Sequence, residues 1–187
     1  MVMRCSFEKE LGMSQKIAVI GAVSRNGVYG EGGSIPWRIK EDMDYFKRVT
    51  SGHVVVMGRG TWESLPKKFR PLPNRLNVVV TNTPHYQAEG AVIASSIKDA
   101  IDEAKGRDVF FIGGADIWMS ALHVATDAYI TVIGKTYPVT ETTRLAKELN
   151  DLGTHVPAFT LCTVSELFVC EKYDERFLWV SFNHWKK

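Results

Sequence analysis

Short, continuous apolar runs constrain the fold of this chain more than any other feature of its sequence. Four such runs are rich in β-branched residues: KIAVIGAVS (16–24), VVVM (54–57), NVVVT (77–81) and DVFFI (108–112). Strands have this pattern when both of their faces are buried, as in a parallel sheet covered by helices. Helical patterns lie between the runs, so the sequence predicts an α/β domain.

The remaining elements complete this prediction. Further strands are predicted at 91–94, 127–133, 159–169 and 177–184, the last two as a terminal hairpin around 171–176. Helices are predicted after Pro36-Trp37 and at 62–65, 97–105, 115–122 and 143–152, with Ser96 as an N-cap. The expected architecture is an eight-stranded, mainly parallel sheet with an antiparallel C-terminal edge and about four flanking helices.

Length and composition narrow the class of protein. A chain of 187 residues suits one domain, and a formal net charge of +2 provides no electrostatic footprint for nucleic acid or an anionic membrane. The three cysteines include no CxxC pair, and the five histidines are scattered, so neither a disulfide framework nor a metal site is expected. We therefore expect a cytoplasmic monomer without nucleic-acid or membrane partners.

Residues 1–15 differ in character from the rest of the chain. They have no apolar core of the kind found in a signal peptide, so they are predicted to be an extension, either disordered or foreign to the native chain, ahead of a folded domain at 16–187. Met13-Ser14 fits an alternative translation start or an expression-tag junction. The intact mass of natively expressed protein distinguishes these origins.

Asp42 stands out in the first helix. Apolar residues Ile39, Met43, Phe46 and Val49 recur at helical spacing and predict one buried face. Asp42 adjoins Met43 and precedes Phe46 by four residues, so its carboxylate borders that face. The pattern fits either an acid that stabilises the helix dipole or a group with a chemical role, and it does not choose between them.

Glycine-containing segments suggest where a ligand binds. Residues 25–34 (RNGVYGEGGS) read as a mobile lid or as an ordinary flexible connector. Strand–glycine–helix turns at 58–61 and 113–115 place free backbone N–H groups where phosphates bind, and Arg59 adds a charged fork. Arg75, beside Leu72, suits bidentate binding of a carboxylate. The sequence contains no GxGxxG, complete P-loop or GxSxG motif.

Several ordered motifs resemble dihydrofolate reductase. They are IPW (35–37), Asp42 with FK (46–47), VVMGRGTWESLP (55–66), RPLPNR (70–75) and FIGGADIW (111–118). Their order and spacing make the resemblance specific, and it extends from Lys16 to the C-terminus. It implies reduction of 7,8-dihydrofolate to 5,6,7,8-tetrahydrofolate, with hydride transfer from NADPH to C6 and protonation at N5, in support of one-carbon metabolism and thymidylate synthesis. Antifolate inhibitors are implied as further ligands.

The resemblance also implies roles for individual residues. Asp42, paired with Thr131, would hold the amidine-like edge of the pterin while a proton reaches N5 through water near Trp37. Burial would raise the pKa of Asp42 toward working pH, as acid chemistry requires. Arg75 would clamp the α-carboxylate of the folate tail. The implied substrate-binding residues are Ile20, Ala22, Met43, Phe46, Leu72, Arg75, Ile112 and Thr131.

For the cofactor, the resemblance implies a site at the two glycine turns. Arg59 and Thr81 would surround the adenosine 2'-phosphate, Thr61 and 113–118 would cradle the pyrophosphate, and the lid at 28–34 would close over the nicotinamide. The Gly113-Gly114 peptide matches one that is cis in the family. The implied cofactor-binding residues are Ala22, Val28, Gly30, Ser34, Gly58, Arg59, Gly60, Thr61, Thr81, Asn82, Gly113, Gly114, Ala115, Asp116, Ile117 and Trp118.

Three departures from the family pattern matter. Gly60 stands where many relatives carry a basic or polar residue, and Asp116 where a basic or small one is frequent, so preference for NADPH depends heavily on Arg59. The segment ETTR at 141–144 stands where many relatives carry Gly-Asp-Thr beside the lid, which bears on lid closure.

Two alternative functions are weighed against this one. A pyrimidine reductase of the riboflavin pathway shares the fold and NADPH but not the pattern of Asp42, Phe46 and Arg75. A non-catalytic folate- or nucleotide-binding protein with a decayed site is the other, and intact Asp42, Thr131 and Trp37 argue against it.

Overall fold

The computed structural model describes residues 15–145, 160–173 and 176–187. Four α-helices lie in these ranges: α1 (Lys40–Thr50), α2 (Arg59–Ser64), α3 (Ile97–Glu103) and α4 (Ala115–Leu122). The strands are β1 (Ile17–Ser24), β2 (Val28–Glu31), β3 (Val54–Gly58), β4 (Leu76–Val80), β5 (Val92–Ala94), β6 (Val109–Phe111), β7 (Asp127–Ile133), β8 (Thr143–Leu145), β9 (Thr160–Tyr173) and β10 (Arg176–Lys186).

One eight-stranded sheet organises the molecule, in the order β5-β4-β3-β6-β1-β7-β10-β9. The first six strands in this order, from β5 to β7, are parallel, and β10 is antiparallel to both β7 and β9. This arrangement confirms the predicted parallel sheet with an antiparallel C-terminal edge. The apolar runs form its central strands, and most of their residues are buried, as a sheet covered on both faces requires.

Helices cover both faces of the sheet. On one face, α3 and α4 pack over a core that includes Val19, Phe111 and Trp118. On the other face, α1 and α2 pack over a core that includes Ile20 and Phe110. The described residues contain no helix that is long and apolar enough to cross a membrane.

The segment after β7 differs from the prediction. A helix is predicted over 143–152, but Thr143–Leu145 is the strand β8, which pairs with β2 in a second, two-stranded sheet; residues 146–152 lie outside the described ranges. Threonine is a poor helix former because its branched side chain loses rotamer freedom, and here the threonine hydroxyls bond to Glu31 of β2 instead. The helix prediction over 143–145 is therefore wrong.

Two smaller differences concern the first two helices. Met43 is expected on the buried face of α1, but its side chain is 53% exposed. The short helix expected to include 62–65 begins at Arg59, directly after β3, and ends at Ser64. Arg59 therefore lies in the first turn of a helix and not in a loop.

Candidate active site

The acid at the centre of the site is placed by the first turn of α1. The chain is extended at Ile39 and enters the helix at Lys40, so Asp42 lies in the first turn. Thr131 is buried on β7, where it is in register with Ala22 of β1. Helix α1 thus brings a carboxylate to a strand hydroxyl at the middle of the sheet.

The surroundings of Asp42 favour its protonated form. Burial raises the pKa of the Asp42 carboxyl, and this effect outweighs that of the nearby polar groups of Thr131 and Trp37, which lower it. Thr131 and Trp37 are both neutral. Within the described residues, no positively charged side chain contributes to the shift in the pKa of Asp42. The expected rise in the pKa of Asp42 is confirmed in direction and cause.

Trp37 closes the same corner of the site. It is buried with Ile39 and Phe182, and its ring lies 5.4 Å from that of Tyr137. The indole N–H has no direct hydrogen-bond partner within 3.5 Å among the described residues, although Trp37 lies near enough to Asp42 to influence its pKa. A buried donor of this kind suits a bridging water or a polar ligand atom.

Arg75 is held in one orientation above an apolar wall. Its Nε donates to the carbonyl of Pro73 at 3.0 Å and its Nη1 donates to Thr50 Oγ1, also at 3.0 Å. The guanidinium lies 5.7 Å from the centre of the Phe46 ring. An arginine fixed in this way is prepared to bind a carboxylate with its remaining N–H groups.

Asn77 fixes the loop that carries Arg75, a role that the sequence pattern did not reveal. Its side-chain amide bonds to both the N–H and the carbonyl of Leu72, each at 2.9 Å, and also donates to the carbonyl of Arg75 at 3.1 Å. Asn77 is 1% exposed. A polar residue inside an apolar strand pattern was the available signal, because a buried amide must find partners.

The two glycine turns meet at the carboxyl ends of β3 and β6. The N–H of Gly58 donates to the carbonyl of Gly113 at 2.9 Å, and Thr61 Oγ1 lies 3.8 Å from where a Cβ on Gly114 would be. Gly113 has φ of +111°, and the Gly113-Gly114 peptide is cis, as the resemblance implied. The turns form one continuous backbone surface in front of helix α4.

Trp118 supports this surface from behind. Its indole N–H is shared between the carbonyls of Ile20 and Phe111, at 3.1 and 3.2 Å. A Cβ on Gly21 or on Gly113 would lie 2.5 or 2.9 Å from the Trp118 ring, so both positions require glycine. Because Trp118 is buried and its N–H is engaged, it shapes the turn and offers no free polar group to a ligand.

Arg59 lies at the outer end of the same edge. Its Nη1 donates to Thr83 Oγ1 at 3.0 Å, and its Nε lies 3.6 Å from Glu63 Oε1. Thr81, at the end of β4, accepts the N–H of Thr83 at 3.2 Å through its hydroxyl. The cation and both threonine hydroxyls therefore gather in one exposed cluster.

The lid predicted at 28–34 is anchored by hydrogen bonds in this structure. Glu31 accepts hydrogen bonds from the hydroxyls of Thr140, Thr142 and Thr143, and these bonds lower the pKa of the Glu31 carboxyl. Val28, predicted to contact the cofactor, is fully buried instead of exposed to a ligand. Sequence reasoning missed Glu31 because its partners lie more than a hundred residues away.

Tyr29 joins the lid to the phosphate turn, and it too was missed. Its ring meets that of Trp118 edge-on at 5.1 Å, and its hydroxyl accepts the N–H of Ala115 at 3.4 Å. These contacts join β2 to the start of α4.

The other predicted residues distribute over the same cleft. Predicted substrate-binding residues Ile20, Phe46, Leu72 and Ile112 share one apolar cluster, and Ala22 packs beside Trp37. Besides Arg59, four predicted cofactor-binding residues are exposed: Ser34, Gly60, Asn82 and Asp116. Ile117 lies against Gly58. Among the described residues, no group of three or more His, Cys, Asp or Glu side chains could hold a metal ion.

Known proteins resemble this chain in sequence and in fold. A family model described as dihydrofolate reductase matches residues 16–146. The chain is 41% identical over 117 residues to dihydrofolate reductase of Mycobacterium tuberculosis strain H37Rv, a match that covers 63% of this chain and 71% of the relative. It is also 41% identical over 118 residues to that of Bacillus subtilis strain 168, covering 63% and 68%.

A solved structure matches over a longer stretch. Dihydrofolate reductase from Enterococcus faecalis, complexed with NADP(H) and RAB-propyl, superposes with a TM-score of 0.73 at 26% identity. This match covers 91% of the present chain and 95% of the other. The likeness therefore includes the C-terminal part of the sheet, which lies beyond the family-model match.

Proposed function

Because the chain belongs to the dihydrofolate reductase family and reduces 7,8-dihydrofolate to tetrahydrofolate with NADPH, we propose that Asp42, Thr131 and Trp37 form its catalytic corner. Bound NADPH supplies the hydride that C6 of the pterin accepts. The residues of the chain must then bind and orient the pterin, exclude water and deliver one proton to N5.

Asp42 is the acid in this proposal. A carboxyl group that burial keeps protonated more readily than usual can hold the amidine-like edge of the pterin and release a proton toward N5. Thr131 orients the carboxyl. The buried indole N–H of Trp37 fits a water on the path of the proton, because it has no direct protein acceptor within hydrogen-bond distance among the described residues.

The folate tail extends from this corner toward Arg75. The apolar cluster with Ile20, Phe46, Leu72 and Ile112 would line the path, and Met43 is open beside it. Arg75 would bind the α-carboxylate through the N–H groups that Pro73 and Thr50 leave available. The position of Arg75 above Phe46 supports this role.

The residues at the glycine turns fit a dinucleotide. Backbone N–H groups at the start of α4, with Thr61 beside them, would hold the pyrophosphate, since the glycine backbone leaves room for close approach. Arg59 and Thr81 would hold the 2'-phosphate, with Gly60 and Asn82 beside them. The lid at 28–34 would cover the nicotinamide and exclude water, and its bonds to β8 would favour one closed position.

Three further proposals concern the whole protein. We propose that residues 16–187 form a single catalytic domain, because the described strands of this range share one sheet apart from the short β2–β8 pair. We propose that the protein is cytoplasmic, on the strength of its cysteine usage, and that it is a monomer. Light scattering after size exclusion tests the oligomeric state, and fractionation of native cells tests the location.

The observation that carries the catalytic assignment is a carboxyl group in the first turn of α1 placed against Thr131 and Trp37, where burial raises its pKa. The test is NADPH oxidation by purified protein with dihydrofolate, beside a control without folate and the Asp42→Asn variant. Oxidation that depends on dihydrofolate and collapses in the variant is expected. Tight binding of both ligands without turnover would instead indicate a decayed site.

A further inference from the structure

We propose that Glu63 limits the preference of this enzyme for NADPH over NADH, because it neutralises Arg59 and offers an acceptor to a ribose 2'-hydroxyl. The inference rests on the proposed role of Arg59 at the 2'-phosphate. It concerns a residue that the catalytic assignment does not use.

The geometry couples Glu63 directly to Arg59. Both residues lie on α2, one turn apart, with Arg59 Nε 3.6 Å from Glu63 Oε1. Tyr86 donates its hydroxyl to the same Glu63 oxygen at 3.2 Å, and its ring lies 5.8 Å from the Arg59 guanidinium carbon. Together with Thr83, which accepts from Nη1, these contacts surround the guanidinium on three sides.

Arg59 and Glu63 carry opposite charges that offset each other, and Arg70, which donates to the carbonyl of Glu63 at 3.5 Å, is a further cation near Tyr86. The side chains of Arg59 and Glu63 are 46% and 50% exposed, so both charges are within reach of a bound nucleotide. A 2'-phosphate carries about −1.5 to −2 charges, so the carboxylate repels it while the guanidinium attracts it. The contacts of Arg59 in the described residues include no second cation, and the Nη1 of Arg70 donates to the backbone carbonyls of Trp62 and Glu63.

The same carboxylate suits a ribose without the phosphate. An ionised carboxylate is purely an acceptor and the 2'-hydroxyl of NADH is a donor, which is how an acidic residue selects NAD in other dinucleotide sites. Gly60 leaves open space beside Arg59, because a Cβ there would meet nothing within 4 Å. The ribose can therefore approach the carboxylate from this side.

Glu63→Gln tests the inference, because it removes the charge and keeps the shape and a hydrogen-bond acceptor for Tyr86. Two probes that need no turnover separate the phosphate from the rest of the cofactor: adenosine 2',5'-bisphosphate, and 5'-AMP, which has a free 2'-hydroxyl. In calorimetric titration, the variant should bind the bisphosphate about 2- to 10-fold more tightly and should not bind 5'-AMP more tightly.

The kinetic readout is the ratio of kcat/KM for NADPH to that for NADH. This ratio should rise about 2- to 10-fold in Glu63→Gln, through a change in KM and not in kcat. The increase in the ratio should become smaller as ionic strength rises. Glu103→Gln is the matched control: it removes the same charge from an exposed carboxylate at the far end of α3 and should leave the ratio unchanged.

Arg59→Leu separates the inference from its premise, since it should lower the preference for NADPH. If Arg59→Leu lowers it but Glu63→Gln leaves it unchanged or lowers it too, Glu63 does not compete with the phosphate and the inference is wrong. If neither substitution changes the preference, the assignment of Arg59 fails and the inference fails with it.

Discussion

The pKa values of two carboxyl groups near strand β7 are shifted in opposite directions. Asp42 faces Thr131 in β7, and burial raises its pKa because both of its polar partners are neutral. Asp127 begins β7 and its side chain is only 7% exposed, yet its pKa is lowered. Burial raises the pKa of Asp127 as well, but His184, Thr126 and the charge of Lys16 lower it by more.

The difference shows how partners decide the role of a buried acid. Asp127 accepts from His184 Nε2 at 2.7 Å and from Thr126 Oγ1 at 2.8 Å, so the ionised form is satisfied and joins β10 to β7. Among the described residues, no positively charged side chain lowers the pKa of Asp42, so its carboxyl group holds its proton more tightly, as the proposed role of an acid requires. We expect the first acid to govern stability and the second to govern turnover.

The largest expected effect separates the two acids by activity. Asp42→Asn should lower turnover by roughly 10² to 10⁴, the usual contribution of a positioned acid, while the fold is retained. Asp127→Asn, the matched amide substitution at the other end of β7, should change turnover by less than about threefold, because it lies outside the cleft. Steady-state assays at neutral pH measure both, and near-normal turnover in Asp42→Asn would remove the basis of the comparison.

The next effect separates the acids by stability. Asp127→Asn should lower the free energy of unfolding by about 1–3 kcal/mol at pH 7, since it weakens a buried, charge-assisted pair. Because the pKa of Asp127 is lowered in the folded state, this stabilisation is present above its unfolded pKa and is lost as pH falls through the folded value. The free energies of unfolding of the native protein and of Asp127→Asn, measured by urea titration, should therefore become equal at acidic pH.

Asp42→Asn should show the reverse dependence on pH. An acid with a raised pKa destabilises the folded state once pH exceeds the unfolded pKa, so the variant should equal or exceed the native protein in stability at pH 7. The two should become alike as pH falls below that unfolded value. A marked loss of stability at neutral pH would mean that Asp42 also has a structural role.

A smaller effect tests the neutral partner. Thr131→Val keeps the shape of a buried side chain but removes the hydroxyl that lowers the pKa of Asp42, so that pKa should rise further. The cost in stability should be about 0.5–1.5 kcal/mol for one lost hydrogen bond. The pH–rate profile of Thr131→Val is compared with those of the native protein and of the control Thr126→Val. An unshifted profile in Thr131→Val would show that Thr131 does not influence the pKa of Asp42.

The smallest effect concerns the cation near Asp127. Lys16 donates to the hydroxyl of Tyr129 at 3.2 Å and lowers the pKa of Asp127 through its charge. Lys16→Met keeps the aliphatic stem and should cost up to about 1 kcal/mol in the free energy of unfolding at pH 7, with less effect at high salt. A loss as large as that of Asp127→Asn would mean that Lys16, not His184, is the main partner.

The sequence was sufficient for the elements that are defined locally. The apolar run at 127–133 predicted β7 with its observed bounds, and Ser96 caps α3 by accepting from the N–H of Asp99, as predicted. The glycine turns were also predictable from the sequence, because Gly113 needs a φ that other residues rarely adopt. The family motifs located Asp42, and its shift in pKa followed from burial.

Contacts between distant residues were not predictable from one sequence. Nothing in 140–143 indicates that its threonines bind Glu31, and so β8 was assigned to a helix. Asn77 was visible as a polar residue in an apolar strand, but its partners in the 72–75 loop were not. The pairing of Glu63 with Arg59 has the spacing of neighbours on a helix, yet it becomes evident only once α2 is known to begin at Arg59.

The pH dependence of the hydride-transfer step tests the central claim most directly. Single-turnover rates in the native protein, Asp42→Asn and Asp127→Asn would be measured by stopped flow across the neutral and alkaline range. The native protein and Asp127→Asn should lose rate together as pH rises through a value above the ordinary pKa of aspartate, and Asp42→Asn should be slow without that transition. The same alkaline transition in Asp42→Asn would contradict the assignment of Asp42 as the acid.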